Sequence, residues 1–277
     1  PWLTGPMQPR IFGPYEPIRR DYPMAEYLAD CAGTGVEKSV YVQANWPVER
    51  AEAEVAWVES VALETGWPHA IVGYADMTAP DVRPALDRLA RYPRMRGVRQ
   101  QFHWHEKPLY RFAADPELCR NPIVQKNVAR LADYGWAFDL QVFASQMAGA
   151  AELARASPGV TFVLQHAGML EDLSESGRAA WRQGMTMLAS EPNVFAKLSG
   201  FGTFIQRNDP LHIGWLISET VRLFGAVRCL YGSNFPIEKL WTGYGALIGA
   251  HRQGSDGLSQ AEQTAIFHDT ACRVYRL

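Results

Sequence analysis

The chain repeats one pattern along nearly its whole length: a short run of β-branched and aromatic residues, then a longer stretch with apolar residues three and four apart. Short apolar runs joined by helix-length connections predict parallel strands, because a parallel pair cannot be closed by a tight turn and needs a crossover. Strands are predicted at 39–44, 70–74, 97–102, 137–142, 161–165, 194–198 and 228–231. Helices are predicted at 48–65, 82–91, 122–134, 145–156, 177–190, 211–224 and 259–275. The spacing of Leu211, Trp215, Ile217, Val221 and Phe224 shows the apolar stripe of such a helix. Gly66-Trp67-Pro68, Tyr92-Pro93, Ser157-Pro158-Gly159 and Glu191-Pro192 each close a helix before the next strand.

Repeated βα units leave two architectures, an open doubly wound sheet or a closed (β/α)8 TIM barrel. The sequence contains neither GxGxxG nor GxxxxGK[ST], the glycine turns of nucleotide-binding open sheets, so an α/β fold of TIM-barrel type is expected. No compositional break divides residues 1–277, and one domain is expected. Seven strands are one short of a barrel. The eighth comes from the opening "PWLTGPMQPRIFGPYEPI", or the first strand is missing or distorted.

A formal charge of -2 with scattered basic residues argues against nucleic-acid partners. No apolar run reaches membrane-spanning length. Cys31, Cys119, Cys229 and Cys272 stand far apart, which predicts free thiols and a reducing, cytoplasmic setting. A homo-oligomer is left open.

Catalytic groups of such barrels sit at the C-terminal ends of strands. Here every strand ends in polar residues: Gln43 and Asn45, Asp76, Arg99 with Gln101 and His103, Asp139 with Gln141, Gln165 and His166, Lys197 with Ser199, and Asn234. Each alone reads equally well as a capping or solvated residue; together they predict one polar mouth. His166, ending "FVLQH", is a metal ligand, a proton-transfer group or an electrophile, or else a core histidine bonded to a carbonyl. His103 and His105 form a short H-x-H pair that would reach one ion if extended. Arg99 and Lys197 interrupt apolar strands and need an anion, either a substrate carboxylate or an internal partner, Asp76 or Asp139. Trp46, Trp104, Phe201, Phe204 and Trp241 follow strand ends, where they wall a pocket or pack helices.

The ordered motifs "SVYVQA", "RGVRQQF", "FDLQVFASQM", "VLQHAG", "NVFAKLSG", "YGSNFPIEK" and "ACRVYRL" resemble the amidohydrolase-related TIM-barrel hydrolases, in particular their lactonase branch of sugar-acid lactonases and 2-pyrone-4,6-dicarboxylate lactonase. The resemblance implies hydrolysis of a lactone by activated water. It places His166 at the family's strand-six histidine, Arg99 at its "GxR" arginine and Asn234 where an aspartate is usual in "GSDxP". The family's opening strand, with its H-x-H pair, would fall before Pro1; a preceding piece of chain is expected to carry it, because an open seam exposes strand edges.

An asparagine cannot serve as general base. Asn234 is therefore a natural variation with the base moved to His166 or His103, an engineered change, or the mark of a barrel that binds without turnover. The expected site comprises catalytic His166, Asn234 and His103, and substrate-binding Arg99, Lys197, Gln43, Asn45, Gln141, Ser199, Trp104 and Trp241. His166 ligates a divalent metal, zinc or manganese, if one is used; a cofactor-free site is the alternative. The expected partner is a small carboxylated or sugar-acid lactone. Metal-dependent decarboxylation and ligand binding alone are the competing functions.

Overall fold

The computed structural model describes residues 3–277. Seven strands form one parallel sheet in chain order: β1 Val40–Val42, β2 Ala70–Gly73, β3 Met95–Gln101, β4 Ala137–Gln141, β5 Phe162–Leu164, β6 Val194–Leu198 and β7 Cys229–Tyr231. The fold is an α/β TIM-barrel frame whose sheet curls from β1 to β7, and no pairing joins these two edges among the described residues. The opening segment supplies no eighth strand there. Its described part ends in a 3-10 turn, Glu16–Ile18, and the helix α1, Met24–Cys31, follows it.

The remaining helices are α2 Ala51–Thr65, α3 Arg83–Leu89, α4 Pro122–Ala129, α5 Leu131–Tyr134, α6 Met147–Ala156, α7 Glu175–Ala189, α8 Pro210–Phe224, α9 Tyr244–Gly254, α10 Gln260–Thr264 and α11 Thr270–Tyr275. Their starts follow from local chemistry. Asn121, Ser174 and Asp209 accept hydrogen bonds from the first free N–H groups of α4, α7 and α8, each worth about 1 kcal/mol. Gly66 ends α2 in the left-handed conformation, with φ 80°. Two expected helices are interrupted: 122–134 divides at Arg130, and 259–275 contains a π-turn at Ala265–Asp269. Sequence periodicity missed α1 and α9, the latter because Gly245, Gly249 and Gly254 dilute its helical signal.

The period-two alternation of the strands sorts the barrel into layers. Outward residues such as Ile71, Val98, Phe138 and Leu164 join the helix layer in the main apolar core. Inward residues begin with a small apolar floor of Ala70, Val72, Ala137, Val163 and Leu230, plugged by Val274 and Tyr275 of α11. One step further toward the strand ends, the same faces turn polar: Ala137 is followed by Asp139 and Gln141, Val163 by Gln165, and Phe195 by Lys197 and Ser199. Parallel strands covered on both faces explain why β2 and β4 are buried at every residue, whereas β1 at the sheet edge is only half-buried.

Candidate active site

A cavity of about 1240 Å³ opens over the polar layer and continues between the β1 and β7 edges. Arg99, Gln101, His103, Gln141, Gln165, His166, Lys197, Ser199, Gln43, Asn45 and Asn234 all line it. Three of these polar tips sit in strained backbone. Asn45 after β1, His166 after β5 and Asn234 after β7 have φ of 58°, 54° and 53°. Left-handed backbone disfavours side chains with a Cβ, least so asparagine, and clusters at functional sites. Around His166 the strain extends through Ala167 and Met169, with φ of 44° and 50°.

Asp139 organises the deepest polar layer. It has no exposure and accepts hydrogen bonds from Lys197 Nζ at 2.7 Å, Gln165 Nε2 at 2.8 Å and Tyr275 Oη at 2.9 Å. Lys197 also donates to Gln165 Oε1 at 3.3 Å. Burial pushes the Lys197 ammonium down, and Asp139 opposes that shift. Lys197 thus reaches the cavity wall while paired with Asp139, the internal alternative expected for it.

Arg99 is held differently. Its guanidinium donates to the Gln43 carbonyl at the end of β1, while Gln43 Nε2 donates back to the Arg99 carbonyl at 3.4 Å. Gln43 Oε1 meanwhile accepts from Asn45 N–H at 2.8 Å and fixes the turn after β1. Arg99 Nε, Gln101 Oε1, His103 Nδ1 and Gln141 Oε1 have no hydrogen-bond partner among the described residues. Four orphaned polar atoms on the neighbouring strands β3 and β4 and the segment after β3 mark a wall that a polar ligand or water completes, since a buried unpaired group costs about 1–3 kcal/mol.

Both cavity histidines are neutral at physiological pH. Burial, with Arg99 and Lys197 adding to it, lowers His166 to about 3; burial and Arg99 lower His103 to about 3. His166 Nδ1 lies 2.9 Å from Ser199 Oγ. When Ser199 donates to Nδ1, the ring's proton is on Nε2, which makes His166 a donor toward a carbonyl oxygen. Gly200 passes directly over this ring: a Cβ there would lie 2.5 Å from Nδ1.

Three expected residues fall elsewhere. Trp104 does not line the central cavity; it lies in a separate groove of about 470 Å³, under the Arg111 guanidinium. Gln146 pulls the chain out of the barrel there, accepting from Trp104 N–H and donating to the Phe102 carbonyl, each at 2.8 Å. Trp241 packs with Phe12, Tyr15 and Ile18 and does not itself line the central cavity. His105 lines the outer groove, 3.5 Å from Glu171, whereas His103 faces the central cavity, so the H-x-H pair does not converge on one ion. Strand-end position in sequence identifies a mouth residue only while the backbone remains extended, and it turns after Phe102 and Asn234. Among the other aromatics Phe204 lines the cavity, Phe201 stacks on His251, and Trp46 lies under Arg50.

The donor set tests the expected metal. Among the described residues no three histidine, cysteine, aspartate or glutamate side chains cluster as metal ligands. His166 stands near two cations, Asp139 is occupied by Lys197, Gln165 and Tyr275, and Asn234 is neutral. These residues do not by themselves form a divalent-metal site.

Sequence reasoning also missed Glu238. It has no exposure, accepts from Asn234 Nδ2 at 3.3 Å and Trp241 Nε1 at 2.7 Å, and is raised by burial to about 7. The available signal was its spacing, four residues beyond Asn234 in "NFPIE", which one helical turn brings together.

Comparison with known proteins agrees with this frame. The family model described as Amidohydrolase matches residues 1–277. A Sinorhizobium fredii protein, y4mH, is 35% identical over all of this chain and 93% of its own length. An L-fucono-1,5-lactonase of Burkholderia ambifaria is 29% identical over 94% of this chain and 87% of its own. A crystal structure of an amidohydrolase from Burkholderia multivorans with bound zinc superposes with a TM-score of 0.82 at 25% identity, covering 95% of this chain and 91% of that one. The matched chain and shared barrel frame place this protein in the amidohydrolase family, as a hydrolase-type enzyme.

Proposed function

We propose that this enzyme opens a small polar lactone by adding water to its carbonyl carbon at the mouth of the barrel. The observation that carries the reading is the set of unpartnered atoms from Arg99, Gln101, His103 and Gln141, residues that line one cavity together with His166 and Asn234. The relative named L-fucono-1,5-lactonase supports the substrate type.

Neutral His166 donates through Nε2 to the carbonyl oxygen as negative charge develops there, and a fixed donor of this kind supplies about 3–4 kcal/mol. Asn234 holds the attacking water. The new bond joins water oxygen to carbonyl carbon, the ring C–O bond breaks, and the proton lost by water passes to the leaving ring oxygen, giving a hydroxy acid. Arg99 lies close enough to stabilise one negative group, the substrate's or that of the product carboxylate. Because Lys197 is matched by Asp139, the site favours a lactone bearing at most one carboxylate. Buried free thiols at Cys31, Cys119 and Cys229 support the cytoplasmic setting expected from the sequence.

The test is hydrolysis of a panel of aldonolactones, mono- and dicarboxylated lactones, followed by proton release. Aldonolactones or monocarboxylated lactones should be opened in preference to dicarboxylated ones. Turnover of none of them would overturn the assignment.

A further inference from the structure

The aspartate expected after the last strand is replaced by Asn234, and the nearest carboxylate lies one turn later, at Glu238. Glu238 does not reach the cavity, which Asn234 lines. Its position is tightly determined. The Trp241 indole N–H donates to Oε2, and Trp241 is anchored against Phe12, Tyr15 and Ile18. Gly202 closes over the pair: a Cβ there would lie 2.3 Å from Trp241 Nε1 and 2.7 Å from Glu238 Oε2.

An ionised carboxylate only accepts hydrogen bonds, an indole only donates them, and an amide has one end of each kind. Glu238 therefore draws the NH2 of Asn234 toward itself, at 3.3 Å, and turns Oδ1 the other way. Resting on the lactone-opening reading, we propose that Glu238 is a positioning residue that sets the Asn234 amide so that its oxygen, and not its NH2, is presented to the attacking water. The arrangement gives the water an acceptor without placing a second negative charge in the cavity. Both donors facing Glu238 are neutral, and its rise to about 7 makes the carboxylate form dominant only above neutrality.

The test compares native protein with Glu238→Gln and with the exchange Asn234→Asp/Glu238→Gln, at pH 8.5. In Glu238→Gln the single acceptor oxygen is claimed by Trp241, the glutamine NH2 faces Asn234, and the Asn234 amide reverses. Expected is a fall of about 30- to 100-fold in kcat on a turned-over lactone, with KM changed less than about threefold. In the exchanged variant the carboxylate introduced by Asn234→Asp accepts from the glutamine NH2 and keeps an oxygen toward water, and kcat recovers at least about tenfold relative to Glu238→Gln. Asn234→Asp alone, measured beside it, gives the gain due to a new general base, and recovery beyond that gain is what a purely structural role for Glu238 would not produce.

A second readout is independent of turnover. The side-chain NH2 resonances of Asn234, assigned by their loss in Asn234→Asp, should exchange slowly with solvent in native protein and at least about tenfold faster in Glu238→Gln. Glu238→Gln retaining kcat within about twofold, or unchanged Asn234 NH2 exchange in a folded variant, overturns the proposal. If native protein opens no lactone, the proposed function fails, while the exchange measurement by itself still supports or overturns the positioning of Asn234.

Discussion

Asp139 and Glu238 are both carboxylates without solvent exposure, one on β4 and the other just after β7, yet their surroundings differ in kind. Asp139 is met by an ammonium, an amide and a phenol, so its charge is matched where it stands. Glu238 is met by an amide and an indole, neither carrying charge. A buried charge with a cation partner is fixed structure. One with neutral partners depends on pH, and its cost is tolerated where it orients something else. The contrast separates a scaffold beneath the cavity from an adjustable contact at its rim.

The largest effect should follow from breaking the matched pair. Asp139→Ala strands Lys197 in the barrel and should cost about 3–5 kcal/mol in urea unfolding. Asp139→Asn/Lys197→Met, which removes both charges together, should be substantially less damaging. Equal losses in the two variants would dissolve the distinction drawn between the carboxylates.

The next effect is a pH dependence. Glu238 titrates near 4.5 when unfolded and about 7 when folded. Between those values the folded chain keeps a proton that the unfolded chain releases, so stability falls as pH rises through this window, by up to about 3 kcal/mol. Chemical unfolding at pH 4.5 and pH 8 should reveal this component in native protein and its loss in Glu238→Gln. In kinetics the same group should give an acid limb in kcat/KM near 7, absent in Glu238→Gln. His103 and His166, held neutral down to about 3, should contribute no limb between pH 5 and 8. A limb that persists in Glu238→Gln and disappears in His103→Asn would reassign it.

The smallest effect belongs to Trp104. It lies outside the central cavity, and Trp104→Ala should leave kcat/KM within about threefold of native. A much larger loss would join the outer groove to the site.

The frame was legible because most strands are apolar-rich runs and several crossovers carry their own turn signals; the strands fall close to where periodicity places them. The polar rim was legible for the same reason, since residues such as Arg99, Gln141 and His166 follow directly from the pleat. Direction was not legible once the backbone left the strand. Trp104 is diverted by Gln146, and Trp241 is fixed by Glu238. Partner choice lies across the sheet, 58 residues apart for Asp139 and Lys197, where sequence supplies only candidates. Glu238 escaped notice because only its four-residue spacing from Asn234 marks it, and a carboxylate inside a 3-10 turn otherwise reads like an exposed one.

The central claim concerns the Arg99 guanidinium beside a wall of unpaired polar atoms. Steady-state hydrolysis of the preferred lactone by native protein and by Arg99→Met tests it most directly. A drop of about 100-fold or more in kcat/KM, with folding intact, is the predicted result. Hydrolysis by folded Arg99→Met within about twofold of native would contradict the account.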